Sequence, residues 1–141
     1  MIRSGSARYE GLGKDGKGVV STQSGVLSDQ AYGFATRFED APGTNPEELI
    51  AAAHASCFTM ALSFALAKAG FEDGTLDTSA KVTLDKDGDG FSITRSALTL
   101  KARVPGITQE QFEQIAQEAK AGCPVSKLLN AEITLEHSLE A

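Results

Sequence analysis

Two cysteines are the residues of this chain that could carry covalent chemistry, and their sequence environments differ. Cys57 falls inside a long apolar stretch that is predicted to be helical. Cys123 directly precedes Pro124, so it is a natural N-cap of another helix, where backbone amides and the helix dipole stabilise a thiolate. Such a pair can be a redox couple or two unrelated buried thiols, and the two residues alone leave both interpretations open.

On these grounds Cys123 is expected to be the more reactive thiol. The alternative interpretation is that Cys123 is an unreactive small residue buried ahead of a helix, which would give the same sequence pattern. In a helix interior, burial raises the pKa of a thiol, so Cys57 would need a nearby cation in order to ionise. No Lys or Arg lies in residues 41–66. The nearest upstream candidate for this cation is Arg37, which lies within a predicted strand at 31–38. The alternative interpretation is that Arg37 is only an exposed residue on a half-buried strand.

The elements that would position these residues predict an α+β protein in a single domain over residues 1–141. Strands are predicted at 4–10, 18–22, 31–38, 77–84, 91–104 and 131–139, with turns at 11–17 and 85–90. A long helix is predicted to begin at the Asn45 N-cap and to end near Ala69. Thr108 is predicted to cap a second helix, and Pro124 begins a short third one.

The composition limits the partners and the compartment. A net charge of −6 argues against nucleic acid or an anionic membrane surface as a partner. Residues 1–6 contain no apolar stretch, which predicts a cytoplasmic protein whose cysteines are reduced by default. Two Cys and two His provide no zinc-binding spacing, so neither a metal nor a cofactor is expected.

Residues 49–67 form an uncharged run of 19 residues, and a run of this length is long enough for a membrane-spanning helix. The composition of this segment argues otherwise, because seven of its 19 residues are alanine and four others are polar. We therefore expect a helix that is buried on all sides in a soluble core.

Two further motifs lack the structural context that they need. Residues 11–16 match the dinucleotide-binding pattern G-x-G-x-x-G, but a strand-like segment follows instead of a helix. Residues 85–90 match the first half of a calcium loop, but Ser96 stands where the loop requires a glutamate. Both segments are interpreted as hairpin turns.

Four segments that span the chain resemble the OsmC/Ohr family of thiol peroxidases, which act on organic hydroperoxides. They are residues 32–38 (YGFATRF), 44–50 (TNPEELI), 53–58 (AHASCF) and 121–126 (AGCPVS). An arginine just ahead of the long helix resembles the OsmC branch in particular. The resemblance implies an OsmC-like fold, with an antiparallel sheet packed around a long central helix, in an intertwined homodimer.

The resemblance also implies a role for each site residue. Cys57 matches the peroxidatic cysteine, which becomes a sulfenic acid, and Cys123 matches the resolving cysteine, which closes a disulfide with it. Arg37 matches the arginine that polarises the peroxide, and Glu47 matches the carboxylate that orients this arginine. A lipoyl-type or other small dithiol would reduce the disulfide. The apolar neighbours of Cys57 would suit organic peroxides better than hydrogen peroxide.

Two other residues of the long helix are interpreted as structural. Glu48 lies three residues after Asn45 and suits the capping box of the helix. His54 lies three residues before Cys57 and could act as a base, but the resemblance gives it no catalytic role.

The spacing on the long helix bears on assembly. Glu47 and Cys57 are ten residues apart, which is ~15 Å along a helix axis, so they cannot serve one site within one chain. Two antiparallel copies that cross near Ala52 would bring Glu47 of one beside Cys57 of the other. This spacing predicts a homodimer whose two sites are shared between chains.

Two other functional classes remain open at this level. One is a non-enzymatic dimer that binds an apolar ligand and holds inert thiols, and the other is a redox sensor whose disulfide alters a partner contact. The joint presence of Arg37, Glu47, Cys57 and Cys123 favours the peroxidase, because a binding module would not need all four.

Overall fold

The computed structural model describes residues 1–140. The chain divides into two compact units, Met1–Leu49 and a second that begins at Ile50. The boundary between them lies inside a long helix. The expectation of one domain over residues 1–141 stays a prediction.

The first unit is built on a three-stranded antiparallel sheet. Its strands are β1 (Gly5–Glu10), β2 (Lys17–Thr22) and β3 (Gln30–Tyr32). The predicted hairpin between the first two strands is confirmed, with Glu10 opposite Lys17 at the turn. The glycine-rich connection contains a 3₁₀ turn and is not a dinucleotide-binding loop, because a strand follows it.

The predicted strand at 31–38 is wrong in its second half. Only Gln30–Tyr32 pairs with β2, and a short helix, α1 (Phe34–Phe38), follows it. The Thr36 hydroxyl accepts a hydrogen bond from the Gly33 N–H at 2.8 Å, which fixes the helix start. The phenylalanine rings at the two ends of α1 pack with centroids 5.1 Å apart, a contact that needs helical spacing. Arg37 therefore lies in a helix and not on a strand.

The long helix α2 (Pro46–Lys68) begins and ends where the sequence predicts. Asn45 caps it, because its side-chain oxygen accepts the Glu48 N–H at 2.7 Å. The Glu48 carboxylate in turn accepts the Thr44 hydroxyl at 2.7 Å, so this residue stabilises the helix start through Thr44. Gly70, at a φ of 100°, follows the last turn, as expected for a C-terminal glycine.

The expectation that α2 is buried on all sides is wrong for the single chain. One stripe is buried, and it consists of residues four apart: His54, Phe58, Leu62 and Leu66. On the other side Met60 is 61% exposed and Phe64 is 70% exposed. By length and composition α2 could cross a membrane, but this is weak evidence, since core helices of soluble proteins meet the same criteria.

The second unit carries a three-stranded mixed sheet of β4 (Thr75–Asp87), β5 (Gly90–Arg103) and β6 (Glu132–Glu140). The hairpin of β4 and β5 is longer than predicted, and its turn is shorter than the predicted 85–90. An antiparallel sheet was expected, but β6 runs parallel to β5. The crossover between these two strands contains two helices, and a parallel pair requires a connection of this length.

The two crossover helices are α3 (Gln109–Gly122) and α4 (Pro124–Leu128). The predicted cap of α3 is confirmed, because the Thr108 side chain accepts the Gln111 N–H at 3.1 Å. Residues of α2, β5 and α3 meet Cys123 in one core: Phe58, Leu62, Leu66, Leu98, Leu100, Phe112 and Ala116. This packing holds the start of α4 against the middle of α2, where Cys57 lies.

Candidate active site

The two cysteines meet inside the second unit. Cys57 comes from the middle of α2, and Cys123 ends α3 and begins α4. Both are free thiols; Cys123 is fully buried, whereas Cys57 is partly exposed. Cys57 packs against the core cluster that contains Cys123, and each thiol shifts the pKa of the other. The structure therefore brings together the two residues that the sequence singled out.

The two sulfurs ionise differently. Burial raises the pKa of Cys57, and its hydrogen bond to Cys123 raises it further, against a smaller lowering by the Val125 backbone. Burial also opposes ionisation of Cys123, but hydrogen bonds from Cys57, from the Ser126 backbone and hydroxyl, and from the Val125 backbone lower its pKa overall. The two thiols therefore share one environment in which Cys123 ionises more readily than Cys57.

A buried histidine lies behind this pair. His54 Nδ1 is 2.6 Å from the Ser96 hydroxyl oxygen, and Nε2 is 2.8 Å from the Ser126 hydroxyl oxygen. Burial lowers the pKa of His54, so the ring is neutral. Ser126 lies in the short helix that Cys123 begins, so His54 is anchored to that helix.

Sequence reasoning missed both serines of this network. Ser126 is three residues after Cys123, a spacing that places it in the first turn of α4 beside the thiol. That spacing could have indicated the contact. In the sequence Ser96 stands out only as the last position of the partial calcium loop, and nothing there pairs it with His54, which is 42 residues away.

Arg37 and Glu47 form a two-point ion pair inside the first unit. Arg37 Nε is 2.8 Å from Glu47 Oε1, and Nη2 is 2.9 Å from Oε2. The hydrogen bond to Glu47 raises the pKa of Arg37. The last turn of α1 is tied to the start of α2, since the Asn45 amide donates to the Thr36 carbonyl at 3.1 Å. The expected arginine and carboxylate are thus bonded to each other.

The first unit also contains an apolar cavity of about 260 Å³. Its lining is Ala7, Val20, Tyr32, Thr44, Asn45, Pro46 and Leu49. It includes the residues that begin α2, next to Glu47 in the sequence. A cavity of this size and polarity could hold a short alkyl group.

The described residues 1–140 contain no group of three or more His, Cys, Asp or Glu side chains that could hold a metal ion. In the turn that partly matches a calcium loop, two carboxylates accept hydrogen bonds from side chains on the opposite strand of the hairpin. Thr94 donates to Asp85 and Ser92 donates to Asp87, each at 2.6 Å.

Comparison with known proteins identifies the relatives of this chain. The family described as OsmC-like protein matches residues 38–138. The chain is 58% identical over 139 residues to Peroxiredoxin OsmC of Escherichia coli (strain K12), covering 99% of this chain and 97% of that protein. It is 29% identical over 122 residues to the organic hydroperoxide resistance protein OhrB of Bacillus subtilis (strain 168), covering 84% and 88%.

Solved structures agree with this relationship. The crystal structure of Bacillus subtilis OhrB matches with a TM-score of 0.69 at 26% identity, covering 99% of this chain and 98% of that one. An OsmC-like protein of unknown function from Vibrio cholerae has the same fold, with a TM-score of 0.73 at 18% identity. The predicted α+β class and OsmC-like fold are therefore confirmed, and the chain belongs to the OsmC family.

Proposed function

We propose that this protein is a thiol-dependent peroxidase that reduces organic hydroperoxides. The observation that carries the proposal is the pairing of a partly exposed Cys57 with a buried Cys123 in one core cluster. Relatives named peroxiredoxin and organic hydroperoxide resistance protein support it. The apolar cavity of the first unit favours an alkyl peroxide over hydrogen peroxide.

Exposure supports the order in which the two thiols act. Cys123 has no exposed surface, whereas Cys57 is partly open, so a peroxide meets Cys57 first. The Cys57 sulfur attacks the terminal peroxide oxygen and the O–O bond breaks. The alkoxide takes the thiol proton and leaves as an alcohol, and Cys57 becomes a sulfenic acid.

Cys123 then resolves the sulfenic acid. Its thiolate attacks the Cys57 sulfur, an S–S bond forms, and the hydroxide that leaves takes a proton from solvent. An external dithiol, of lipoyl type or another small dithiol, supplies two electrons and two protons to restore both thiols. Such recycling fits a cytoplasmic location, where thiols are kept reduced.

Arg37 and Glu47 are assigned to the stabilisation of charge. Glu47 occupies two of the five N–H donors of the guanidinium, and the remaining donors can bind peroxide oxygens and the thiolate. Glu47 and Cys57 are ten residues apart on the continuous helix α2, which corresponds to ~15 Å. We therefore assign Arg37 and Glu47 of one protomer to Cys57 of its partner in a homodimer.

The exposed side of α2 supports this assembly. Met60 and Phe64 leave a large apolar surface uncovered in the single chain, as expected for the contact surface of a dimer. A groove with a mainly apolar lining follows the same side, and its lining includes Ala52, Ala55 and Ser56. Small residues of this kind permit two helices to approach closely.

Mass spectrometry of the reduced protein after one equivalent of tert-butyl hydroperoxide tests the proposal. The expected result is a loss of two hydrogens, a peptide in which Cys57 is linked to Cys123, and continued turnover when dithiol is in excess. An unchanged mass would indicate the apolar-ligand-binding dimer instead. A disulfide without turnover would indicate the redox sensor.

A further inference from the structure

Four side chains of the first unit form a continuous column, which we call the aromatic column: Lys14, Phe34, Phe38 and Arg37. Lys14 Nζ lies 5.0 Å from the centroid of the Phe34 ring. The Phe34 and Phe38 rings pack with their centroids 5.1 Å apart and their planes at 41°. The Arg37 Cζ atom lies over the Phe38 ring, 5.6 Å from its centroid. A pair of aromatic rings therefore connects a lysine of the glycine-rich turn at residues 11–16 to the arginine of the candidate site.

The contacts at both ends of the aromatic column are attractive, because the face of an aromatic ring is negative and draws a cation within about 6 Å of its centroid. Arg37 and Phe38 are adjacent in α1, and adjacent residues on a helix point in different directions. Their contact is therefore a property of the side-chain conformations and not a consequence of helical spacing. Phe38 is also 41% exposed, so burial in a core does not account for the position of its ring.

The glycine-rich turn holds the lysine end of the aromatic column in place. The Tyr9 hydroxyl donates to the Gly13 carbonyl at 2.9 Å, and a Cβ atom at Gly16 would clash with the Tyr9 ring. Lys14 lies between these two glycines and contacts the Phe34 ring. The G-x-G-x-x-G pattern, which does not form a nucleotide-binding loop, therefore supports α1.

At the other end of the column, Arg37 is held from two directions. Glu47 binds the edge of the guanidinium through Nε and Nη2, and the Phe38 ring covers one face. A guanidinium carries five N–H donors, so three remain after the ion pair. An arginine side chain that is 37% exposed would otherwise occupy many rotamers. The edge contact and the face contact together select one orientation for the three remaining donors.

We propose that Phe38 is a positioning residue for Arg37: its ring covers one face of the guanidinium and so directs the remaining N–H donors toward the peroxide oxygens. Phe34 and Lys14 keep the Phe38 ring in this place. In this role Phe38 acts through the arginine and does not itself contact the reacting atoms. The catalytic consequence rests on the proposed function, in which Arg37 stabilises the charge that develops on the peroxide.

Fluorinated phenylalanines at position 38 test the contact with Arg37 with almost no change of shape. Each fluorine withdraws electrons from the ring face and so weakens its attraction for a cation. From phenylalanine to a trifluoro ring, kcat/KM for tert-butyl hydroperoxide is expected to fall stepwise, by about two- to fivefold in total. Hydrogen peroxide should show the same decline, because Arg37 acts on the oxygens that both peroxides share. An unchanged or rising kcat/KM, or a decline confined to the alkyl peroxide, would overturn the proposal.

Phe91 offers a matched control for the fluorinated series. It is 55% exposed and lies on β5 in the second unit, so the same series there is expected to leave kcat/KM unchanged. Phe38→Leu removes the ring and should lower kcat/KM at least as much as the trifluoro ring does, whereas Phe38→Trp keeps an aromatic face and should restore it. Equal losses in the two series would assign the effect to fluorination in general and overturn the proposal.

Hydrogen exchange of the Arg37 Nε–H, followed by NMR of the reduced protein, measures the position of the arginine without any peroxide. This N–H donates to Glu47 at 2.8 Å. Phe38→Leu is expected to speed its exchange by about two- to fivefold, and Phe38→Trp should restore the original rate.

This measurement separates the inference from the proposed function. If the protein reduces no peroxide but exchange still accelerates in Phe38→Leu, the enzymatic function fails and the role of Phe38 in positioning Arg37 stands. Unchanged exchange in Phe38→Leu would overturn that role. Faster exchange with an unchanged kcat/KM in an active protein would overturn its catalytic consequence.

Discussion

The guanidinium of Arg37 binds both carboxylate oxygens of Glu47, at 2.8 and 2.9 Å. The Arg37 side chain is 37% exposed and that of Glu47 is 12% exposed, so the carboxylate is the better-enclosed member of the pair. A two-point contact fixes the plane of the guanidinium as well as its position. Glu47 therefore determines which of the arginine donors face outward.

Replacing the arginine tests whether the planar contact matters for catalysis. Arg37→Lys keeps the positive charge but loses the two-point geometry, so kcat/KM for tert-butyl hydroperoxide is expected to fall by about 10²-fold. The free energy of unfolding is expected to change by less than about 1 kcal/mol, because the pair is partly solvated. Peroxide consumption with excess dithiol and urea unfolding measure the two effects.

A second ion pair offers a matched control. Arg8 Nε lies 2.8 Å from Glu10 Oε1, but these side chains are 76% and 69% exposed. Arg8→Lys is therefore expected to leave both turnover and stability unchanged. An equal loss of turnover in Arg8→Lys and Arg37→Lys would show that a general change of charge geometry, and not the contact with Glu47, is responsible.

Replacing each of the two cysteines is expected to stop the reaction at a different step. Cys57→Ser should abolish peroxide consumption, because no sulfur remains in the partly exposed position. Cys123→Ser should consume one equivalent and then stop, because the sulfenic acid on Cys57 has no resolving partner. Mass spectrometry with a sulfenic-acid trap distinguishes the two variants. A sulfenic acid trapped on Cys123 in Cys57→Ser would reverse the proposed order.

Local signals in the sequence predicted much of this fold. The caps at Asn45 and Thr108 placed two helix starts correctly, because N-cap chemistry depends on residues within one turn. The predicted strand at 31–38 is wrong after Tyr32, because a short apolar run fits both a strand and a short helix whose two ends are in contact. The direction of β6 was also missed, because strand direction depends on the crossover and not on the strand itself.

The candidate site also combines residues that the sequence predicts with contacts that the sequence does not predict. The sequence singled out Cys57 and Cys123 from their types and settings, and the structure brings them into contact. The contact of His54 with Ser126 spans 72 residues, and that with Ser96 spans 42. No local pattern records such pairings, because they arise only when α2, β5 and α4 pack together.

The buried histidine makes stability depend on pH in a defined direction. Burial lowers the pKa of His54, so below about pH 6.5 the unfolded chain binds a proton that the folded chain does not. This contribution to stability is complete above about pH 6.5 and declines as the pH falls toward the folded-state pKa. The free energy of unfolding, measured with urea, should fall by at most about 1.4 kcal/mol per pH unit from this residue.

A glutamine at position 54 isolates this effect from the titration of carboxylates. His54→Gln keeps a donor near Nε2 but does not titrate, so its stability should fall less steeply than that of the wild type between about pH 5 and pH 7. The difference between the two curves is the measured quantity. Parallel curves for the two proteins would mean that His54 ionises equally in the folded and unfolded chains.

The exposed side of α2 predicts how the protein assembles. Met60→Glu places a charge on a surface that we assign to a dimer contact, and it is expected to shift the mass measured by light scattering toward a monomer. Turnover should fall with the loss of the dimer, because each site would then lack the arginine of the partner. Val26→Glu, at a position that is 84% exposed in the first unit, is the matched control and should change neither quantity.

Mixing two inactive variants tests the sharing of sites between chains most directly. Arg37→Ala retains both cysteines and Cys57→Ser retains the arginine, so a mixed dimer contains one complete site if Arg37 and Cys57 come from different chains. Random pairing makes half of the dimers mixed, so co-expression should restore about a quarter of the wild-type turnover. If both residues of a site came from one chain, the mixture would stay inactive, and a fully active monomer would contradict the shared site outright.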